Sequence, residues 1–225
     1  MTREFFQPDT LIKALELRRD LEHSSLLAGG TDLIVTMRSG KGPEGSIIDL
    51  SKVRALKGIE ASGATVRIGP MTTFSEIADS ELLENTAKLL CEAAGAVGSP
   101  QIRNRATIGG NLCNASAAAD GIAPLLCLDA NVELKSMNPD GTVSTLIQPL
   151  ESFIIASGKT GIKDIEVMTG ILVEKPMQGT LYSFRKIGRR NALAIARVNG
   201  SCALRLKNGA VESIRFALGA STSKP

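Results

Sequence analysis

The first part of the chain alternates short apolar runs with an amphipathic pattern. Between Asp9 and Leu21 apolar residues recur every three or four positions, which predicts a helix. The apolar runs at 25–28 and in GSIIDL, residues 45–50, predict short buried strands, and a second short helix is predicted over 33–38. This order of strand, helix and strand favours a small parallel unit within about the first 55 residues.

Beyond that unit, apolar and polar positions alternate as they do in antiparallel hairpins. IEASGATVRIG, residues 59–69, predicts one hairpin, and VELKSMNPDGTVSTLI, residues 132–147, predicts another around a Pro-Asp-Gly turn. From residue 181 onward the pattern predicts three strands, the last two joined at Asn208-Gly209. The chain is therefore predicted to be α+β.

Between these hairpins the pattern becomes helical. Residues 74–97 are predicted to be helical, with leucines as the core positions. These leucines are Leu82, Leu83, Leu89 and Leu90.

Composition excludes several classes of function for this chain of 225 residues. The net charge of +3 is weak, and Lys and Arg are scattered without interleaved aromatic residues, so we expect no nucleic-acid partner. No apolar run approaches the roughly 18 residues of a membrane span, and polar residues follow Met1, so we expect a cytoplasmic protein. The four cysteines are far apart and His23 is the single histidine, so neither a metal site, a disulfide framework nor an imidazole catalyst is predicted.

Two segments each combine adjacent glycines with a hydroxyl residue and a carboxylate. They are LLAGGTDL, residues 26–33, and RNRATIGGNLCNASAAAD, residues 103–120. A pyrophosphate needs several donors at once, and backbone N–H groups approach it closely where no Cβ intervenes. The alternative is that both glycine pairs are ordinary turns. Neither segment has Rossmann or P-loop spacing, so the residues themselves indicate only a dinucleotide or phosphate ligand.

The two glycine segments are followed by SFRKIGRRNALAIARV at residues 183–198. In this order, the three segments resemble the FAD-binding (medium) subunit of molybdenum hydroxylases. That family includes xanthine, carbon monoxide and nicotinate dehydrogenases. The resemblance runs from about Phe5 to Ala217 and implies a vanillyl-alcohol-oxidase-type (PCMH-type) FAD-binding fold. It implies an FAD-binding domain over 1–176, with subdomains of about 1–55 and 56–176, and the start of a C-terminal antiparallel-sheet domain over 177–225.

The resemblance also implies which residues bind FAD. The first phosphate loop comprises Leu26, Leu27, Ala28, Gly29, Gly30, Thr31, Asp32 and Leu33. The second comprises Thr107, Ile108, Gly109, Gly110 and Asn111. Further expected contacts are Val97, Asp120 and, near the flavin ring, Met168 and Lys186. For Asp120 the alternative is a cap on a helix beginning near Gly121.

Three features depart from the family pattern. Ala117 stands where the family often has Pro, and the iron–sulfur insertion of one branch is absent. The helices that usually follow SIRFALGA are also absent, so we expect a truncated C-terminal domain or a split subunit.

The resemblance implies a role in electron transfer. Electrons are expected to arrive from 2Fe–2S clusters of a small subunit and to leave through FAD to NAD or another acceptor. Hydroxylation itself is expected in a molybdopterin large subunit. The alternatives are a stand-alone flavin-dependent oxidoreductase of the same fold and a noncatalytic assembly module without flavin.

Overall fold

In a computed structural model, which describes residues 4–175, 177, 179–190 and 193–221, the chain begins with a three-stranded parallel sheet. Its strands are β1 (Phe5–Phe6), β2 (Ser25–Leu27) and β3 (Ile47–Asp49), in the order β1-β3-β2. The helices α1 (Leu11–Asp20) and α2 (Leu33–Arg38) connect them. The predicted parallel unit is confirmed.

A five-stranded antiparallel sheet follows, in the order β4-β5-β10-β6-β7. It contains both predicted hairpins, and β10 lies between them as the central strand. The strands are β4 (Ile59–Ser62), β5 (Thr65–Ile68), β6 (Asn131–Met137), β7 (Val143–Pro149) and β10 (Glu166–Glu174). A small separate pair is formed by β8 (Ile154–Ala156) and β9 (Lys159–Thr160).

Short helices cover the sheet and fill the core between its hairpins. They are α3 (Phe74–Ala78), α4 (Glu81–Thr86), α5 (Lys88–Gly95), α6 (Pro100–Arg103), α7 (Ile108–Asn114), α8 (Ile122–Cys127) and α9 (Leu150–Phe153). The predicted helical stretch 74–97 is thus three helices. It breaks because Ser80 caps α4, accepting a hydrogen bond from the N–H of Leu83, and because Ala87 leaves the helical conformation at φ −149°. Of the predicted core leucines, Leu82 is only partly buried.

The C-terminal part is an antiparallel sheet of β11 (Thr180–Gly188), β12 (Ala196–Lys207) and β13 (Ala210–Gly219). The turn predicted at Asn208-Gly209 is confirmed, and both residues have the positive φ that a two-residue hairpin turn needs. The inner face of this sheet packs on α5 and α8. Its outer face carries several exposed apolar side chains, which are Leu181, Ile187, Leu206, Val211, Ile214, Phe216 and Leu218.

Two hydrophobic cores support these sheets. A small core lies between α1, β3 and the end of β6, and includes Leu15, Ile48 and Met137. The large core lies under the five-stranded sheet and reaches Phe184 and Ala203 of the C-terminal sheet. The predicted boundaries at residues 55 and 176 remain predictions. Within the described residues, no helix has the length and hydropathy that crossing a bilayer requires.

Candidate functional site

The first glycine segment is a loop between β2 and α2. Gly30 has a φ of +75°, a conformation that favours glycine. Gly29 is glycine for a different reason: a Cβ there would lie 2.0 Å from the backbone carbonyl oxygen of Arg105. The loop therefore packs directly against the backbone that leads into α7.

The N–H groups of this loop make no hydrogen bond within the part of the chain that the structure describes. Among the described residues, none accepts a hydrogen bond from the N–H of Gly29, Gly30, Thr31 or Asp32. Asp32 makes no capping hydrogen bond at the start of α2. The loop therefore has four backbone donors without an acceptor among the described residues, next to the positive end of a short helix.

The second glycine pair does not form a loop. Gly109 and Gly110 lie in the first turn of α7, where the Thr107 hydroxyl accepts a hydrogen bond from the N–H of Gly110 at 3.2 Å. The N–H of Gly109 donates to the carbonyl of Pro70 at 2.8 Å, and that of Ile108 to Thr72 at 3.0 Å. Capping and contact with residues 70–72 thus use these N–H groups in this structure, and the assignment of the second segment to a phosphate stays a prediction.

The two glycine segments nevertheless lie side by side. Gly29 contacts Arg105, and a Cβ on Gly110 would lie 3.7 Å from the Cβ of Ala28. Gly109 packs against Pro70, where a Cβ would come within 2.4 Å of the proline side chain. Glycine in α7 thus allows close packing of the elements around the first loop.

Asn111 extends the site toward Asp120. Its Oδ1 is buried and has no hydrogen-bond partner in the described part of the chain. A Cβ on Gly121 would lie 2.6 Å from this oxygen, so glycine leaves room for it. A buried acceptor without a donor is costly in a folded protein, so this oxygen is suited to a ligand donor.

Asp120 is 7% exposed and lies between the helical layer and the C-terminal sheet. It forms an ion pair with Lys186 of β11 and accepts a hydrogen bond from Asn199 of β12 at 3.1 Å. Burial raises the pKa of Asp120, and the hydrogen bond from Lys186 opposes this effect. The capping alternative is wrong: Gly121 is the N-cap of α8, with no side-chain capping bond.

The remaining predicted site residues lie beside the ion pair of Asp120 and Lys186 or in the large core. The Lys186 ammonium also donates to the carbonyl of Ala96 at 2.9 Å, which brings it next to Val97. Val97, Ile108 and Met168 all belong to the large core. Met168 lies on β10 opposite Leu134.

The sequence did not single out Asn199, the cross-strand neighbour of Lys186. The available signal was an asparagine inside a strand pattern, where asparagine is disfavoured. Its partner Asp120 is 79 positions away in the sequence, which no local pattern spans.

Comparison with known proteins identifies the ligand. Residues 1–176 match the family model described as the FAD binding domain in molybdopterin dehydrogenase. The chain is 32% identical over 213 residues to the nicotinate dehydrogenase FAD-subunit of Eubacterium barkeri, covering 92% of this chain and 70% of that protein. It is 31% identical over 218 residues to the xanthine dehydrogenase FAD-binding subunit of Escherichia coli, covering 96% and 73%.

A solved structure gives the same result for the fold. The chain superposes on a carbon monoxide dehydrogenase from Hydrogenophaga pseudoflava with a TM-score of 0.92 at 29% identity, covering 100% of this chain and 76% of the other. The resemblance and the PCMH-type fold expected from the sequence are confirmed, and the relatives are dehydrogenase subunits. The chain belongs to the family of FAD-binding domains of molybdopterin dehydrogenases, and FAD is its cofactor.

Proposed function

We propose that this chain is the FAD-carrying electron-transfer subunit of a molybdenum hydroxylase complex. In this proposal it receives electrons from 2Fe–2S clusters of a small subunit and passes them to NAD or another acceptor. FAD, when bound, supplies the redox chemistry, and the protein supplies binding, orientation and electrostatics.

The observation that carries the proposal is the row of N–H groups at Gly29, Gly30, Thr31 and Asp32, for which the described residues offer no acceptor. We assign the FAD pyrophosphate to this row, because several successive backbone donors suit its two charges. The residues that lead into and out of the loop then also belong to the site; they are Leu26, Leu27, Ala28 and Leu33.

The residues of α7 act mainly as support in this assignment. The start of α7 packs against residues 70–72 and beside Ala28. The residues that make these contacts are Thr107, Ile108, Gly109 and Gly110. Asn111 differs from them, because its unpartnered Oδ1 can accept a hydrogen bond from a ligand hydroxyl or N–H.

Asp120 and Lys186 are assigned to the other end of the ligand, with Val97 and Met168 as apolar neighbours. Both charged groups are removed from bulk water, with side-chain exposures of 8% and 12%. Charges in such surroundings act on a ligand more strongly than exposed charges do. The paired carboxylate and ammonium therefore provide an acceptor and a donor of fixed position.

Partners are inferred from the relatives. Several relatives carry names that mark them as one chain of a complex, such as the carbon monoxide dehydrogenase medium chain of Hydrogenophaga pseudoflava. We propose that this chain likewise works with an iron–sulfur small subunit and a molybdopterin large subunit.

FAD retention tests the assigned site. Gly29→Ala introduces a Cβ where the Arg105 backbone lies, so the loop must move and FAD should be lost. Gly161→Ala is the matched control, because its Cβ would meet only ordinary contacts at 3.8 Å and beyond. We expect the control to keep FAD, measured as flavin released on denaturation per mole of protein. Full FAD content in Gly29→Ala would show that the loop assignment is wrong.

Flavin reduction tests the electron-transfer role. The chain with FAD alone should not be reduced by a purine, an aldehyde or an N-heterocycle, and substrate-dependent bleaching of the flavin band should require the iron–sulfur and molybdenum subunits. Reduction by an organic substrate without partners would favour a stand-alone oxidoreductase. A folded chain that binds no FAD would favour an assembly module.

A further inference from the structure

The Asp120 carboxylate is held at both oxygens by neighbouring residues of the C-terminal sheet. Lys186 of β11 pairs with Oδ2, and the Asn199 amide of β12 donates to Oδ1 at 3.1 Å. The strand register places Lys186 directly opposite Asn199, so both reach the carboxylate from one sheet face. The carboxylate is thus clamped between two cross-strand neighbours.

Asn199 is poorly explained as a packing residue. It is 1% exposed, and its Oδ1 has no hydrogen-bond partner in the described part of the chain. The opposing residue on β13 is Gly219, where a Cβ would lie 2.3 Å from that oxygen. Burying an unpaired acceptor is unfavourable, and the glycine at position 219 of β13 leaves room for it. The one hydrogen bond that its side chain makes within the described ranges goes to Asp120.

The Asn199 amide restrains the rotation of the Asp120 carboxylate, which Lys186 does not. Lysine is a flexible point charge and leaves a carboxylate free to turn about its last bond, whereas a buried amide fixes the second oxygen. A carboxylate has about four lone-pair sites, so two remain for a ligand after both bonds are made.

We infer that Asn199 is a positioning residue for FAD binding: it fixes the orientation of the Asp120 carboxylate, and thereby the C-terminal sheet completes the FAD site. The inference rests on the proposed contact between Asp120 and FAD. Lys186 and Asn199 both lie beyond residues 1–176, which match the FAD-binding domain model. FAD affinity should accordingly depend on a sheet outside that domain.

The test compares FAD binding in two variants of the same strand. Asn199→Leu removes the donor at similar volume. Ser201→Ala is the matched control, since Ser201 lies two residues along on the same face, is fully buried and has an unpartnered Oγ among the described residues. The dissociation constant of FAD is measured by titrating the deflavinated chain, with visible circular dichroism of the bound flavin and thermal unfolding as parallel measurements.

We expect Asn199→Leu to weaken FAD binding about tenfold and to alter the flavin dichroism. Ser201→Ala should leave both unchanged. In an Asp120→Ala background, the effect of Asn199→Leu should fall below about twofold, because its target is gone. If Asn199→Leu fails to fold, Asn199→Ser, which is too short to reach Asp120, should show the same weakening.

The outcomes distinguish failure of the positioning role of Asn199 from failure of the proposed contact between Asp120 and FAD. A lower melting temperature in Asn199→Leu with unchanged FAD affinity and dichroism would overturn the inference and leave the Asp120 assignment standing. Unchanged FAD affinity in Asp120→Ala itself would overturn the proposed contact. An equal effect of Asn199→Leu with and without the carboxylate would also overturn the positioning role.

Discussion

Asp120 is a buried carboxylate whose ionisation costs the folded chain free energy. Burial raises its pKa above the ordinary value of 3.8, although the Lys186 hydrogen bond opposes the shift. The folded chain then binds the proton more tightly than the unfolded chain does. Its contribution to the free energy of unfolding therefore falls as pH rises from 3.8 through the raised pKa.

Asp120→Asn cannot titrate and should remove this part of the pH dependence. The measurement is urea unfolding of the deflavinated chain between about pH 4 and pH 6. An unchanged slope of unfolding free energy against pH would contradict the raised pKa.

The four cysteines are expected to differ in reactivity because their surroundings differ. Desolvation raises the pKa of Cys91 and Cys127 to about 11 and that of Cys113 to about 12. Cys202 lies on the outer sheet face opposite Phe216. At about pH 8, iodoacetamide should therefore label Cys202 first in the native chain. Mass spectrometry of the peptides checks this, and equal labelling of Cys113 would contradict it.

At the scale of elements, two N-caps allow a comparison. Thr107 caps α7 and Ser80 caps α4, and each hydroxyl accepts a hydrogen bond from the third helical N–H. Thr107→Ala and Ser80→Ala should each lower the free energy of unfolding by about 1 kcal/mol. Thr107→Ala alone should weaken FAD binding, because α7 packs beside the first glycine loop. Equal FAD affinities in the two variants would remove α7 from the site.

The sequence predicts elements well where the pattern is local. Alternation and an Asn-Gly turn are sufficient for the C-terminal hairpin, and apolar periodicity for α1. The breaks near Ser80 and Ala87 depend on local backbone geometry, which periodicity does not report.

The site is predicted less completely. The first glycine loop follows from its residues, but Gly109 and Gly110 look identical in sequence whether their N–H groups are free or bonded. Their bonding depends on residues 70–72, which tertiary packing brings to them. Asn199 was missed for the same reason.

At the scale of the whole molecule, the outer face of the C-terminal sheet is expected to bind apolar surfaces. Contiguous exposed apolar residues often mark such a surface. Phe216→Ser, which removes a side chain 64% exposed on that face, should make the chain elute earlier from a phenyl column. Ile195→Ser is the control: Ile195 is 82% exposed but precedes β12. Equal shifts in both variants would show that the contiguous face has no special effect.

The central position of β10 determines when this protein can fold during its synthesis. Arg67 of β5 donates to the carbonyl of Thr169 in β10, 102 residues later in the chain. The two hairpins are local and can form as they emerge from the ribosome, but they meet only through β10. A nascent chain released from the ribosome before residue 174 would therefore hold two hairpins with unpaired edges, which favour aggregation. Translation must pass β10 before the large core can close.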